Sequence, residues 1–222
     1  LTGDDSLCSR PMARVTDPIR HFGAQVLART GGRFPLAVIG APDPVPISYE
    51  MPVPSAQVKS AILLAGLNAP GETTVIEPRA TRDHTELMLR QFGAEVGMSD
   101  TAAGGRAITL KGQPELVACD ISVPGDPSAA AFPGVAALIV PDSEVTIRNV
   151  GMNPLRTGLF ETLHEMGADM TIAERPGEAG EPVADITFRS SELQGTVVPA
   201  ERAPAMIDEY PILAVAAAAA SG

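Results

Sequence analysis

Three stretches of the chain repeat one arrangement of apolar and polar positions, in which a helix-like segment ends at Gly-Ala and a short apolar alternation follows. These endings are Phe22-Gly23-Ala24, Phe92-Gly93-Ala94 and Met166-Gly167-Ala168. Glycine directly after the last periodic residue indicates a helix C-terminus. The pattern therefore predicts helices over 18–22, 86–92 and 158–166, each followed by a strand.

A second, strongly apolar element recurs with a similar spacing and begins each time after a polar residue. The runs are 58–67, 131–140 and 211–220, and the polar residues at their starts are Ser55, Ser128 and Asp208. Ser and Asp favour the N-cap position, and a helix that is apolar all round is typical of one buried on every side. We expect three buried helices capped by these residues, with strands over 73–78 and 144–150 after the first two.

Together the two elements form a repeated unit of βαβαββ type, which predicts an α/β (α+β) fold. Full units cover 45–115 and 118–192, while 1–44 is the back half of a unit and 195–222 is the front half of the next. Repeat arrays do not normally stop in mid-unit, so we expect the chain to be a piece of a longer protein. We expect two α/β bodies, residues 1–121 and 122–222, each forming part of a domain.

Composition and charge exclude several classes of function. Of 222 residues, 45% are hydrophobic and the formal net charge is −11, which indicates a globular protein with an acidic surface. Such a surface repels phosphates and anionic lipids, so we expect no nucleic acid or membrane partner. No apolar run is long enough for a membrane span, and two cysteines and three histidines form no metal-ligand spacing.

Two places in the first half of the chain combine cationic or hydrogen-bonding groups in a way that suits an anion. Arg10 precedes Pro11, which favours an extended backbone at the arginine and directs its side chain away from a helix start. Ser55, Ala56 and Gln57 open a long apolar helix, where free backbone N–H groups attract anions. A solvated surface arginine and an ordinary serine N-cap are the simpler interpretations of these two places.

Two further places carry charged residues at predicted helix starts. Arg82, in the run 81–86, has the chemistry to bind phosphate, whereas the acids beside it are also explained as helix caps. Asp208 occupies the repeat position of Ser55 and Ser128, where a carboxylate is either an N-cap or a general base. From the residues alone, both interpretations of each place stay open.

Read in order, these motifs resemble the EPSP synthase family over essentially the whole chain. The segments that carry the resemblance are Thr2-Gly3-Asp4, Arg10-Pro11-Met12, Pro54-Ser55-Ala56-Gln57, Thr81-Arg82-Asp83-His84-Thr85-Glu86, Pro124-Gly125-Asp126-Pro127-Ser128, Asn153-Pro154-Leu155-Arg156-Thr157-Gly158 and Ile207-Asp208-Glu209-Tyr210-Pro211. The match is similar to the bacterial class with low glyphosate sensitivity. It implies six βαβαββ units in two domains, which agrees with the repeat described above.

The resemblance also implies an activity and a set of site residues. The expected reaction transfers the enolpyruvyl group of phosphoenolpyruvate to the 5-hydroxyl of shikimate 3-phosphate, with no metal or organic cofactor, in a cytoplasmic enzyme that is monomeric when complete. Arg10 matches a residue that grips phosphoenolpyruvate, and Arg82 matches one at the shikimate phosphate. Ser55, Ala56 and Gln57 match the segment that holds shikimate 3-phosphate. Asp208 matches the carboxylate assigned as proton acceptor.

Some of the family's motifs are missing, and two other functions remain alternatives. The N-terminal Lys-Ser segment, the downstream Lys-Glu-Ser-Asp-Arg motif and the position tied to glyphosate response are absent, so we expect the fragment alone to be inactive. A UDP-N-acetylglucosamine enolpyruvyl transferase is one alternative. In that family, however, the catalytic cysteine lies further upstream of the Arg-Pro pair, whereas Cys8 is only two residues before Arg10. A non-catalytic remnant that binds phosphosugars is the other.

Overall fold

The structure is a computed structural model that describes residues 1–175 and 180–222, and its contacts divide the chain into two units, residues 1–119 and 120–222. We describe each unit separately. The assignment of residues 1–121 and 122–222 to two domains of a longer protein stays a prediction.

The first unit begins with two helices and a hairpin and continues with a complete βαβαββ repeat. The leading elements are α1 (Asp5–Ser9), α2 (Ala13–His21), β1 (Gln25–Arg29) and β2 (Arg33–Ile39). The repeat consists of β3 (Ser48–Glu50), α3 (Ala56–Gly66), β4 (Glu72–Glu77), α4 (His84–Gln91), β5 (Val96–Asp100) and β6 (Arg106–Lys111). Its sheet has the order β3-β4-β6-β5, in which β3 and β4 are parallel and the other pairs are antiparallel. The predicted repeat over 45–115 is confirmed.

The second unit repeats this plan with a reduced first strand. Its elements are α5 (Pro127–Ile139), β7 (Glu144–Gly151), α6 (Gly158–Glu165), β8 (Asp169–Arg175), β9 (Val183–Arg189), two 3₁₀ helices (Ala200–Ala205 and Ile207–Glu209) and α7 (Tyr210–Ala219). The sheet has the order β7-β9-β8 and is antiparallel. In place of a first strand, one parallel bridge joins Gly125 to Val150. The mixed α/β fold class is therefore confirmed in both units.

The three Gly-Ala steps end helices in the predicted way. Gly23, Gly93 and Gly167 follow the last residues of α2, α4 and α6 and have φ angles of 97°, 90° and 85°. Only glycine adopts this left-handed conformation without a steric cost from a Cβ atom. The glycines reverse the chain after each helix and direct it into the following strand.

Two predicted N-caps are wrong. The N-cap of α5 is Asp126 rather than Ser128, because the Asp126 carboxylate accepts a hydrogen bond from the Ser128 backbone N–H at 3.0 Å. The N-cap position of α7 belongs to Glu209, and Asp208 lies in the preceding 3₁₀ helix. Ser55 is the predicted N-cap that is confirmed, since its hydroxyl accepts from the Val58 N–H at 3.4 Å.

Each unit has its own apolar core, formed between the sheet and the apolar helices. The first core includes Ile62 and Leu63 of α3, and the second includes Leu138 of α5, all with no exposed surface. Burying each such side chain contributes about 1.5–3 kcal/mol. The prediction that these helices are buried on every side is wrong in this structure, because Leu64, Phe132 and Val215 remain 47%, 54% and 45% exposed. Only the face of each helix that meets its own sheet or a neighbouring helix is covered.

No helix in the described parts of the chain is both long and apolar enough to cross a membrane.

Candidate active site

The start of α3 presents hydrogen-bonding groups that its helix does not use. Ser55 caps the helix, and Ala56 and Gln57 form its first turn, where backbone N–H groups have no partner within the helix. Ser55 and Ala56 are half-buried and Gln57 is exposed. The helix dipole adds partial positive charge at this end, so the segment suits an anionic or hydroxyl-rich ligand.

Arg82 lies in the segment that connects β4 to α4, and α3 holds that segment in place. The Nζ of Lys59 donates to the carbonyl oxygen of Thr81 at 3.2 Å, and the hydroxyls of Ser60 and Thr85 lie 2.7 Å apart. The structure therefore brings the first turns of the Ser55 helix and the Arg82 segment together. Arg82 itself is half-buried.

A buried charged cluster lies directly beneath this segment. Lys59 Nζ is 2.6 Å from Glu86 Oε1 and 3.3 Å from Glu77 Oε2, and all three side chains are 1% exposed. Glu77 Oε2 also accepts from the Thr81 hydroxyl at 2.7 Å and from the Thr81 backbone N–H at 3.3 Å. Burial raises the pKa of Glu86 above its ordinary value of 4.5, while the positive charge of Lys59 acts in the opposite direction.

Arg10 is exposed and occupies the C-cap of α1. Its backbone is extended, with φ −83° and ψ 134°, as expected for a residue that precedes proline. Its guanidinium donates to the Ser6 hydroxyl at 3.4 Å, a long contact that leaves most of its donors available to solvent or a ligand. Its proximity to Ser55 and Arg82 stays a prediction.

Asp208 is exposed and lies in the short 3₁₀ helix before α7, in the second unit. Because Glu209 holds the N-cap position of α7, the interpretation of Asp208 as an N-cap is wrong, while its interpretation as a general base near the start of that helix stays a prediction. The next residue, Glu209, is by contrast 3% exposed. How Asp208 lies relative to the candidate residues of the first unit stays a prediction.

Glu209 belongs to a second charged cluster, which ties the 3₁₀ helix to the start of α5. It accepts a hydrogen bond from the Ser128 hydroxyl and lies 3.9 Å from Arg156. Arg156 Nη2 also donates to Ser128 Oγ at 2.7 Å and to Asp126 Oδ1 at 3.0 Å. Among the described residues, the buried Arg156 Nε and Glu209 Oε2 have no hydrogen-bond partner. Asp126 thus caps its helix and pairs with an arginine 30 residues later in the chain.

Sequence reasoning missed both clusters, although the first left a signal in the chain. Lys59 is one of two lysines in the chain and interrupts an apolar helix, where a charge is expected only if it is paired. Glu86 is one of the acids that the sequence also explains as a helix cap, yet its side chain is buried against that lysine. Within residues 1–175 and 180–222, no group of His, Cys, Asp and Glu side chains is arranged to hold a metal ion.

Comparison of the sequence with curated proteins finds close similarity to one kind of enzyme. Over its full length the chain is 65% identical to the 3-phosphoshikimate 1-carboxyvinyltransferase of Paramagnetospirillum magneticum and 64% identical to that of Rhodospirillum rubrum. It covers 50% and 49% of those two proteins, so the chain spans about half the length of the curated relatives it matches.

Solved structures agree with this result. An EPSP synthase from Acinetobacter baumannii matches with a TM-score of 0.87 and 47% identity, over 100% of this chain and 49% of that one. The enolpyruvyl transferase NikO from Streptomyces tendae matches with a TM-score of 0.67 and 19% identity, over 97% of this chain and 51% of that one, which supports the fold alone. The family model described as EPSP synthase (3-phosphoshikimate 1-carboxyvinyltransferase) matches residues 1–222, and the chain therefore belongs to the EPSP synthase family.

Proposed function

We propose that this chain supplies part of an enzyme that transfers the enolpyruvyl group of phosphoenolpyruvate to the 5-hydroxyl of shikimate 3-phosphate. The observation that carries the proposal is the match of the EPSP synthase family model to every residue of the chain. Relatives at 64–65% identity bear the name of this transferase. A UDP-N-acetylglucosamine enolpyruvyl transferase is not favoured, because none of these similarities points to one.

The proposed reaction proceeds by addition and then elimination. The oxygen of the 5-hydroxyl bonds to C2 of phosphoenolpyruvate while C3 takes up a proton, which gives a tetrahedral intermediate. Phosphate then leaves C2 and C3 loses a proton, so that an enol ether and inorganic phosphate are formed. The chemistry requires anion-binding groups for two phosphorylated substrates and a group that accepts the hydroxyl proton.

The described residues offer these groups. In the proposal, Ser55, Ala56 and Gln57 hold shikimate 3-phosphate at the start of α3, and Arg82 binds its phosphate. The support is their placement, since contacts from α3 hold the Arg82 segment next to the first turns of that helix. Arg10 binds phosphoenolpyruvate through a guanidinium that is exposed in this structure.

Asp208 is proposed as the proton acceptor. Its exposed position suits a group that must reach a substrate, and the adjacent buried Glu209 anchors the turn that carries it. A base of this kind typically contributes about 10²–10⁴-fold to the rate. A cytoplasmic location belongs to the same proposal, since both proposed substrates are phosphorylated anions that a lipid bilayer retains. The proposal also takes the complete enzyme to be a monomer.

The test is an assay of the complete gene product with phosphoenolpyruvate and either shikimate 3-phosphate or UDP-N-acetylglucosamine as acceptor. We expect phosphate release when the acceptor is shikimate 3-phosphate and none when it is UDP-N-acetylglucosamine. We also expect kcat to fall about 10²–10⁴-fold in Asp208→Asn. The matched control is Glu201→Gln, which changes an exposed acid in the preceding 3₁₀ helix. Activity only with the UDP-sugar, or with neither acceptor, would contradict the proposal, and a kcat for Asp208→Asn within a few-fold of the parent would remove Asp208 from it.

A further inference from the structure

Thr81 is held at each of its three polar groups by charged side chains beneath it. Its hydroxyl and its backbone N–H donate to Glu77 Oε2 at 2.7 and 3.3 Å, and its carbonyl accepts from Lys59 Nζ at 3.2 Å. Glu77 is the last residue of β4, and Lys59 is in the second turn of α3. The next residue in the chain, Arg82, therefore starts from a backbone position that both a strand and a helix define.

Stability alone is a poor explanation for this arrangement. Lys59, Glu77 and Glu86 are each 1% exposed, and removing such groups from water costs several kcal/mol per ion before their mutual attraction is counted. Well-packed apolar residues of the same volume are often equally stable or more so. What an apolar cluster cannot do is hold a backbone N–H and a carbonyl of one residue in a defined place.

We infer that Lys59, Glu77 and Thr81 are positioning residues that aim Arg82 at the substrate phosphate. The inference rests on the proposed function, in which Arg82 binds shikimate 3-phosphate. Binding groups act well only when their own backbone and rotamers are locked by surrounding contacts. An arginine on an unrestrained connecting segment would lose conformational entropy on every binding event.

Direct binding of phosphate by Thr81 is the main alternative. The Thr81 hydroxyl has a single proton, and that proton is used in the 2.7 Å hydrogen bond to Glu77. It cannot be donated to a phosphate at the same time. The two roles make different predictions, because a residue that acts through Arg82 has no effect once Arg82 is removed.

The experiment measures steady-state kinetics of the complete enzyme with Thr81→Val, Thr81→Ser, Arg82→Ala and the double variant Thr81→Val/Arg82→Ala. We expect Thr81→Val to raise the KM for shikimate 3-phosphate about tenfold and to keep kcat within about threefold of the parent value. The reason is that the variant displaces the arginine that binds the phosphate and leaves the reacting groups in place. Thr81→Ser keeps the hydroxyl and is expected to restore the parent KM. The double variant is expected to equal Arg82→Ala.

Thr74→Val is the matched control, because it removes a threonine hydroxyl from β4, the strand that carries Glu77, at a site where the Oγ1 atoms of Thr74 and Thr109 lie 3.0 Å apart. It is expected to leave the KM unchanged, and thermal unfolding of every variant separates lost binding from lost folding. A normal KM in Thr81→Val beside a raised KM in Arg82→Ala would overturn the positioning role, and so would effects that multiply in the double variant. A normal KM in Arg82→Ala removes Arg82 from the site and the positioning role with it, whereas an inactive parent enzyme refutes the proposed function itself.

Discussion

Each unit buries a charged cluster beside a candidate site residue, but the two clusters differ in how completely they exclude water. In the first unit, all three ionisable side chains of the cluster are 1% exposed. In the second, Glu209 is 3% exposed, while the side chains of Arg156 and Asp126 are 15% and 58% exposed. We call the first cluster, formed by Lys59, Glu77 and Glu86, the closed cluster, because its side chains are almost fully buried. We call the second, formed by Asp126, Arg156 and Glu209, the open cluster, because the Asp126 side chain is exposed to solvent.

The difference shows two ways in which a candidate site residue is held through the polar groups of the residue next to it in the chain. Thr81, next to Arg82, is bound at its N–H, hydroxyl and carbonyl by the closed cluster. Glu209, next to Asp208, is bound by the Ser128 hydroxyl in the open one. A closed cluster defines backbone position more tightly, and its failure should cost more.

The largest expected effect is that of Lys59→Met, which removes the cation that contacts both buried carboxylates of the first cluster. Glu77 and Glu86 would lose this counter-charge while they stay buried, and breaking a buried ion pair in this way costs about 3–5 kcal/mol in the free energy of unfolding. The control is Lys111→Met, the other lysine of the chain, whose exposed ion pair with Glu95 at 3.1 Å is worth at most about 1 kcal/mol. Denaturant unfolding of the complete protein measures both, and equal losses would contradict the comparison.

A smaller loss is expected from Glu209→Ala in the open cluster. The Ser128 hydroxyl would lose its acceptor, while Arg156 would keep its contact with Asp126 and its access to solvent. The cost of the unsatisfied group is about 1–3 kcal/mol. The same unfolding measurement on Glu144→Gln, an exposed acid paired with Arg189, serves as the control. A loss as large as that of Lys59→Met would show that the second cluster is as closed as the first.

The smallest effect concerns pH and the carboxyl of Glu86. Because burial raises the pKa of Glu86 above 4.5 in the folded state, its favourable contribution to stability is fully present below pH 4.5 and is lost as pH rises through the raised value. Glu86→Gln removes this titration, so the stability of the variant relative to the parent should improve from pH 4.5 up to the raised pKa of Glu86 and stay constant above it. Urea unfolding across that range is the measurement. A difference that is constant with pH would show that Glu86 has an unshifted pKa.

The repeat was predictable because it rests on local rules. Glycine is required where a helix end adopts positive φ, as at Gly23, Gly93 and Gly167, and alternation of apolar residues marks strands. The first strand of the second repeat was predicted less well, since one bridge at Gly125 replaces it. A strand forms through pairing with a neighbour, and the residues before Asp126 do not reveal how much of that pairing survives.

At the candidate site, too, some features were predictable from the sequence and others depended on the tertiary structure. Residue types and order alone identified Arg10, the Ser55–Gln57 segment, Arg82 and Asp208 as candidates, because anion-binding groups and carboxylates are recognisable in a sequence. Which of two adjacent acids is buried was not predictable, and Glu209 rather than Asp208 proved to occupy the helix start. The two residues differ by one methylene group, and only the packing of the 3₁₀ helix against Ser128 distinguishes them.

For this protein, the sequence by itself determined the βαβαββ repeat and the glycine-ended helices, because each depends on neighbours within a few positions. It also determined the chemical identity of the candidate residues, which is read directly from the chain. The tertiary structure decided that Lys59 meets Glu77 and Glu86, and that Arg156 meets Asp126. These contacts join residues up to 30 positions apart, and their energies depend on burial and on a dielectric that no local pattern records.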